Sequence, residues 1–489
     1  MMVKRVVLGL LALVLLLALV LVANTLRQGS RQMTVTPLAP LVVDTDRSVK
    51  TLSLAIQART VTGLLNPEAT AAEFTKLQQM LRERYPLLHA KLQLEVLGQH
   101  LIYTWPGRDP KAQPVLLLAH QDVVPIAPGT EALWKVPPFE GRVAEGVVWG
   151  RGAMDNKGNL VAQFEAVEML LAAGFQPKPT VYFVLGADEE LGGRDGALKI
   201  AQRFKQKGIR PAFVIDEGLV VTEGILPGVA KPIALIGIAE KGGLSLKLAV
   251  DTAPGHSSMP PGTGQSAIAV LAAALTRLDA QPMPGGIAGV AGEMFEVLAP
   301  ELPFGQRLAM SNLWLLRPVV ESMLAKGNAT NALMRTTTAM TIVSAGNKEN
   351  VLPGRAEAVV NFRILPGDTP QTIATHVQRA IADERVKVAP LSEPHLASPV
   401  SSTSSAGYRH IERSIREVFP DAAVAPGLYL AGADGRHFDG VADAVYRFTP
   451  IRATNATLKL FHGTDERLPV DHLADMIRFY HRLLTLAAS

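Results

Sequence analysis

The sequence predicts an α/β protein: a mostly parallel sheet with helices on both faces, interrupted by an inserted α+β domain. Three observations carry this. Short, continuously apolar runs, PVLLLAH (114–120), VYFVLGA (181–187) and AFVIDEG (212–218), read as strands buried on both faces. Helical patterns at about 157–173 and 194–207 separate them, and such βαβ alternation argues for a parallel sheet. From Leu244 the texture changes: LSLKLAVD (244–251) and AEAVVNFRIL (356–365) alternate apolar with polar residues, as strands with one open face do.

The other elements follow in order. Lys4 and Arg5 precede an unbroken apolar run, 6–23, of 18 residues. At about 1.5 Å per residue this is about 27 Å of helix, just enough to span a hydrocarbon core. Nothing polar interrupts it, which argues against a buried soluble helix. Residues 1–23 read as a retained signal anchor with the body of the chain outside the cytoplasm. The alternative is a signal peptide cleaved before Asn24, leaving a secreted or periplasmic protein. Residues 24–43 read as a polar, Pro-containing linker. Helices at about 47–58 and 70–85, the second stopped by Pro86, open the first part of the main domain, 44–243. The insert, 244–395, adds helices at about 264–278 and 370–382. SSTSSA (401–406) marks the return. A helix at 408–419, a strand at 427–430 and a helix at 470–487 complete the main domain in 396–489.

Composition sets limits. At roughly 150 residues per domain, 489 residues give about three units. With 48% hydrophobic and 19% charged residues the chain is not disordered. Net charge is +4, and no Lys/Arg block forms the basic stripe of a nucleic-acid binder. There is no cysteine, which excludes disulfides, thiolate metal sites and a cysteine nucleophile. Any metal must be held by His, Asp and Glu.

Ligands of open α/β sheets bind beyond the carboxyl ends of the strands. His120 and Asp122 fall there, as do Asp188, Glu189 and Glu190, and Asp216 and Glu217. WGRGAMDNKG (149–158) is a Gly-rich loop opening a helix, with Asp155 at its centre. Singly, each acidic residue is most simply an N-cap or turn residue. Together, carboxylates gathered at one sheet edge repel unless a cation neutralises them. One histidine with several carboxylates suits zinc, with cobalt or manganese as alternatives.

HQDVVP (120–125), WGRGAMDNKG, GADEELGG (186–193), VIDEG (214–218) and FHGTDE (461–466), in this order, resemble the co-catalytic di-zinc metallopeptidase family of aminoacylases, carboxypeptidase S and glutamate carboxypeptidases. The nearest likeness is to the carboxypeptidase S and N-fatty-acyl-amino-acid synthase/hydrolase branch, over about 45–485. The resemblance implies a zinc-peptidase-like main domain and a ferredoxin-like lid. It implies two zinc ions per site: His120 and Asp216 on one, Glu190 and His462 on the other, Asp155 bridging. Asp122 would orient His120, and Glu189 would be the general base. His256, in APGHSSMPP (253–261), matches a loop histidine that hydrogen-bonds the oxyanion and comes from the partner subunit in dimeric members, so a homodimer stands open beside a monomer. Arg363 matches an arginine that grips a substrate carboxylate, with Asn350 and Arg436 as further contacts. In the loop AGADGRHF (431–438), Ala433 and Gly435 replace the family's usual hydroxyl residues. His89, His376 and His481 read as surface or capping residues. The implied activity is hydrolysis of amide bonds in N-acyl amino acids or small peptides with a free carboxylate, reversible toward condensation. The alternatives are a dipeptide carboxypeptidase of the carboxypeptidase S type, and an inactive binding protein on the same fold, against which the intact ligand set argues.

Overall fold

The computed structural model describes residues 2–36, 39, 41–63, 67–225, 229 and 231–489. Its principal strands are β1 (Gln93–Leu97), β2 (His100–Trp105), β3 (Val115–His120), β4 (Val181–Gly186), β5 (Phe213–Thr222), β6 (Ile233–Glu240), β7 (Gly242–Asp251), β8 (Thr337–Ala345), β9 (Arg355–Ile364), β10 (Val386–Pro390), β11 (Ala423–Tyr429) and β12 (Val445–Ala453). The principal helices are α1 (Met2–Arg27), α2 (Thr45–Gln57), α3 (Pro67–Arg84), α4 (Lys157–Ala172), α5 (Ala197–Gln206), α6 (Ala267–Asp279), α7 (Gly289–Leu298), α8 (Phe304–Ser311), α9 (Leu313–Leu324), α10 (Asn328–Met334), α11 (Pro370–Ile381), α12 (Ala406–Val418) and α13 (Val470–Ala487).

The large sheet has the order β1-β2-β4-β3-β5-β12-β6-β11. β3 runs parallel to β4 and β5, β12 parallel to β5, and β11 parallel to β6. The apolar run of β3 divides by alternation, as strand geometry requires. Val115, Leu117 and Ala119 enter the core under α2, α4, α12 and α13, while Leu116 and Leu118 meet Ile200 and Phe204 of α5 on the other face. Two covered faces leave no position for a polar residue, hence the continuous run. α4 is buried almost throughout, and its Phe164 meets Tyr85, Tyr103 and Phe183 edge to face.

The insert forms an antiparallel sheet, β8-β9-β7-β10. Leu244, Leu246, Leu248 and Val250 of β7 pack beneath α6 and α11, and the residues between them take the open face. This is the alternation seen in the sequence.

Strands β6, β8, β10 and β12 stand where no strand was expected, and three further features depart from expectation. β1 and β2 form an edge hairpin turned by Gly98 (φ +61°) and Gln99, pairing antiparallel with β4. The positive φ suits the two-residue loop. Helices α7–α10 lie where no element was expected. Gly285, Gly286, Pro300, Pro303 and Pro318 keep these segments short and blur their periodicity. They cover β6 and β11 with a core of Ile287, Met294, Phe295 and Val320. Finally, α1 runs four residues beyond Ala23, and described residues of the expected linker contact the body. Gln32 makes a two-way hydrogen bond with the Val424 backbone (2.9 and 2.6 Å), and Arg478 Nε donates to the Leu41 carbonyl (3.0 Å). Among the described residues α1 alone is long and apolar enough to cross a membrane.

Arg447 of β12 and Glu240 of β6 form a fully buried ion pair, Nε to Oε2 at 2.6 Å. A Cβ at Gly218 or Gly237 would stand 2.6 or 2.9 Å from that of Arg447, so the arginine stem fills space that two glycines leave. Arg447→Met should strand a buried carboxylate and cost about 3–5 kcal/mol, read as a lower urea midpoint. Adding Glu240→Leu should recover most of the loss.

Candidate active site

Parallel β3, β4 and β5 bring their carboxyl ends to one side of the sheet. His120 ends β3. Its Nδ1 lies 2.9 Å from the Asp122 carbonyl oxygen and 3.3 Å from Asp122 Oδ1. Its Nε2 lies 3.0 Å from Asp155 Oδ1 and 3.5 Å from Glu217 Oε1. With the Nδ1 proton donated to Asp122, Nε2 presents a lone pair to a cation. Buried Asp122 also accepts from Glu189 N (3.3 Å), Glu190 N (3.2 Å) and Thr62 Oγ1 (3.1 Å). One carboxylate thus holds both the imidazole and the turn carrying the paired glutamates.

The other side of the site is built on Asp155 and His462. His462 Nε2 lies 3.1 Å from Asp155 Oδ2 and 3.3 Å from Glu190 Oε2. Asp155 therefore offers one oxygen to each imidazole. His462 and Asp465 sit at φ +58° and +59°, a strained region for residues with side chains. Buried Glu466 holds this loop to the Gly-rich one. It accepts from Gly152 N (3.0 Å), Met154 N (2.9 Å) and Asp155 N (3.1 Å), and pairs with Arg151 at 2.7 Å. Arg151 donates onward to the His462 carbonyl (3.2 Å).

Asp216, expected as a ligand beside His120, is turned away. Its carboxylate accepts from Gly435 N (2.6 Å) and Glu217 N (2.8 Å). Adjacent side chains of a strand point to opposite faces, so Glu217 faces His120 instead and takes a hydrogen bond from Asn156. Two groups of ligand atoms converge within 4.8 Å: His120 with Asp155 and Glu190, and His120 with Glu189 and Glu217.

The charge balance is uneven. Burial above all pushes Glu189 well above the usual carboxylate range, with Glu217, Asp434 and Glu190 adding repulsion and His120 opposing. Burial, then Asp155, lifts Glu217 to about 7, and burial lifts Asp216 to about 6. Burial alone would lower His120, but Glu217, Asp122 and Asp155 hold it well above the imidazole range. Hydrogen bonds to Asp155 and Glu190 raise His462 to about 10. Glu190 Oε1 and Asp434 Oδ1 are buried with no hydrogen-bond partner among the described residues. Divalent cations relieve such crowding, and imidazole nitrogens with carboxylate oxygens are a fitting donor set.

Arg436 donates to the Gly192 carbonyl (3.1 Å), beside the glutamate turn. Burial, then Arg436, Arg363, Arg194 and His437, depresses His395, whose ring stacks over Gly243, the β7 partner of Arg363. Arg363 and Arg436 therefore both bear on His395. His256 and Asn350 lie elsewhere. Both are exposed, on the lid edge, where Ser257 N donates to the Asn350 carbonyl (3.1 Å) and His256 Nδ1 meets Ser258 Oγ (2.7 Å). No hydrogen bond or ion pair among the described residues ties His256 to the His120–His462 cluster. Sequence reasoning placed Glu217 at the strand end but gave the ligand role to Asp216; it passed over Glu466, which stood inside a quoted motif, and His395, which carried no local signal.

Residues 116–486 match the model of Peptidase family M20/M25/M40. The chain is 39% identical over 477 residues to probable carboxypeptidase S-like 2 of Dictyostelium discoideum, covering 95% of this chain and 91% of that protein. It is 37% identical over 437 residues to an N-fatty-acyl-amino acid synthase/hydrolase of Homo sapiens, covering 88% and 86%. An M20 family metallo-carboxypeptidase from Sulfolobus solfataricus shares the fold at TM-score 0.62 and 20% identity, covering 90% of this chain and 98% of that one. Human carnosine dipeptidase 1 does so at TM-score 0.61 and 18% identity, covering 91% and 96%. By the span of the family match and the identity to these relatives, the chain is an enzyme and belongs to peptidase family M20/M25/M40.

Proposed function

We propose that the chain is a di-zinc amidohydrolase acting on N-acyl amino acids or small peptides with a free carboxylate. The observation that supports this most is Asp155, which offers one oxygen to His120 and the other to His462, with Glu189 beside the pair. His120 and Glu217 would hold one ion and Glu190 and His462 the other, Asp155 bridging. Zinc bound there supplies Lewis-acid polarisation of an amide carbonyl and acidification of a water.

The chain's own groups do the rest. Asp122 fixes the His120 tautomer and the position of the Glu189 backbone. The Glu189 carboxylate accepts a proton from the attacking water and returns it to the leaving amine. Arg363, with Arg436, receives the substrate carboxylate. Condensation of acid and amine uses the same groups in reverse. The human relative, named both synthase and hydrolase, supports N-acyl amino acids. The Dictyostelium relative, named carboxypeptidase S-like, supports dipeptides, whose carboxylate suits the same arginines. His256, exposed on the lid edge with no hydrogen bond or ion pair to the cluster among the described residues, is assigned to the site of a partner subunit in a homodimer. α1, exposed along its apolar length, is assigned as a retained anchor with the body outside the cytoplasm, cleavage before Asn24 being the alternative.

Glu189→Gln should keep its metal and lose about 100- to 10,000-fold in turnover. Glu217→Gln should lose metal first, while Asp216→Asn should stay loaded. Metal content by mass spectrometry beside amidase rate separates the three. An Asp216→Asn protein stripped of metal beside a loaded Glu217→Gln protein would reverse the ligand assignment.

Arg363→Ala should raise KM for free-carboxylate substrates about tenfold to a hundredfold, the worth of a charge-assisted hydrogen bond. The matching methyl esters should respond little. Equal losses for acid and ester would place the carboxylate elsewhere.

A further inference from the structure

The helical part of the insert carries an apolar face that no other described segment covers. On α9, Leu315, Val319 and Met323 recur every four residues and so form one stripe, with Trp314 and Pro318 alongside. Trp314 is 64% exposed, Val319 59% and Met323 66%. Phe304, which opens α8, is exposed as well. Single apolar side chains on a surface are ordinary, but a contiguous stripe marks a contact surface. The helix's other side is satisfied: Val320 is buried with Met294 and Phe295.

What covers this face is indicated by what the hairpin holds. Asn312, fully buried at the α8–α9 turn, donates to the Leu21 carbonyl (3.1 Å) and to Thr25 Oγ1 (3.1 Å). Its Oδ1 accepts from Asn24 Nδ2 (3.0 Å) and from the Trp314 indole (3.3 Å). Asn24 also donates to the Ser311 carbonyl (2.7 Å), and Arg307 donates to the carbonyls of Thr25 (3.2 Å) and Gln28 (2.5 Å). The last turns of α1 are therefore fixed to α8–α9 by a polar joint. Leu21 lies two residues inside the end of the apolar run, about 3 Å along the axis at about 1.5 Å per residue. The joint thus sits where hydrocarbon gives way to headgroups, and α9 starts at that level. Trp314, an apolar ring with its N–H satisfied, is the residue type that favours this layer. Arg317 and Lys326 border the stripe, as cations border interfacial helices.

We propose that the exposed face of α9, with Phe304, is a membrane-contact surface, seated in the interfacial layer of the bilayer that holds α1. This rests on the retained-anchor assignment above. The two attachments, one spanning and one lying on the surface, hold the body at one orientation to the membrane.

The chain lacks cysteine, so a single label can be placed on it. The full-length Val319→Cys chain, spin-labelled and reconstituted in phosphatidylcholine–phosphatidylglycerol vesicles, should be several-fold more accessible to oxygen than to a water-soluble nickel complex. Lys111→Cys, on an exposed loop of the main domain, should show the reverse. Lipids brominated on their chains should quench tryptophan emission in the unlabelled protein, and Trp314→Phe should abolish most of that quenching. If the chain floats with vesicles after a carbonate wash but position 319 favours nickel and bromolipids quench nothing, the surface is wrong and the anchor stands. If the chain does not float, both fall. If position 319 is shielded from both reagents and shows spin–spin broadening that vanishes on dilution with unlabelled chain, the face joins copies of the protein and the proposal is overturned.

Discussion

The structure turns on carboxylates crowded at the ends of β3, β4 and β5. Glu189, Glu190, Glu217 and Asp155 gather around His120, with Asp434 close enough to add repulsion, and burial raises Glu189, Glu217 and Asp434. Such a cluster persists only if every oxygen has something positive to face. Two further carboxylates supply that order without facing the cleft. Asp122 collects two backbone N–H groups, a hydroxyl and an imidazole, and Glu466 collects three N–H groups and a guanidinium. Each spends a charge on positioning its neighbours, a stronger use of a hydrogen bond than neutral partners allow. The remaining oxygens converge on a space suited to divalent cations.

This division explains which parts of the site were legible in the sequence. The family resemblance implied one site for His120, Asp155, Glu190 and His462, and these four lie within 3.3 Å of one another in a chain of contacts. Asp216 and Glu217 are adjacent, and a strand sends neighbours to opposite faces. Which of them faces His120 depends on the register of β5 against β3, and a bare sequence does not carry that phase. Gly435 offers a clue in retrospect. A side chain there would bring a Cβ to 3.0 Å from Val445 and 3.2 Å from Asp216 Oδ2, so the glycine reflects a carboxylate pressed against that loop. The group around His395 was half legible: Arg363 and Arg436 came from motifs, while His395 joins them through the return of the chain across Gly243.

For the fold, legibility followed burial. Strands covered on both faces, such as β3, and strands with one open face, such as β7, announce themselves by composition alone. Helices α7–α10 do not. They are short, interrupted by Gly and Pro, and α8 and α9 leave Phe304, Trp314, Leu315, Val319 and Met323 exposed. A periodicity search looks for one apolar face per helix, and α9 has two, one packed through Val320 against Met294 and Phe295 and one displayed through Val319 and Met323.

The segment after α1 is not a free linker over its described residues. A flexible stalk would let the body tumble against the membrane and would need no buried side chains near Asn24. Here Thr25 and Asn312 are fully buried, and an asparagine amide uses its donors and its oxygen across two chain segments nearly three hundred residues apart. A buried amide left unpaired costs about 1–3 kcal/mol, so removing residues before Asn24 would deprive Asn312 of the Leu21 carbonyl, although Thr25 and Leu308 would still accept from it. The joint is most complete when α1 stays attached. With α1 as the proposed anchor, its last turn built into the body beside a helix displaying an apolar stripe, the proposed contact of α9 would hold the enzyme at one attitude to the membrane surface.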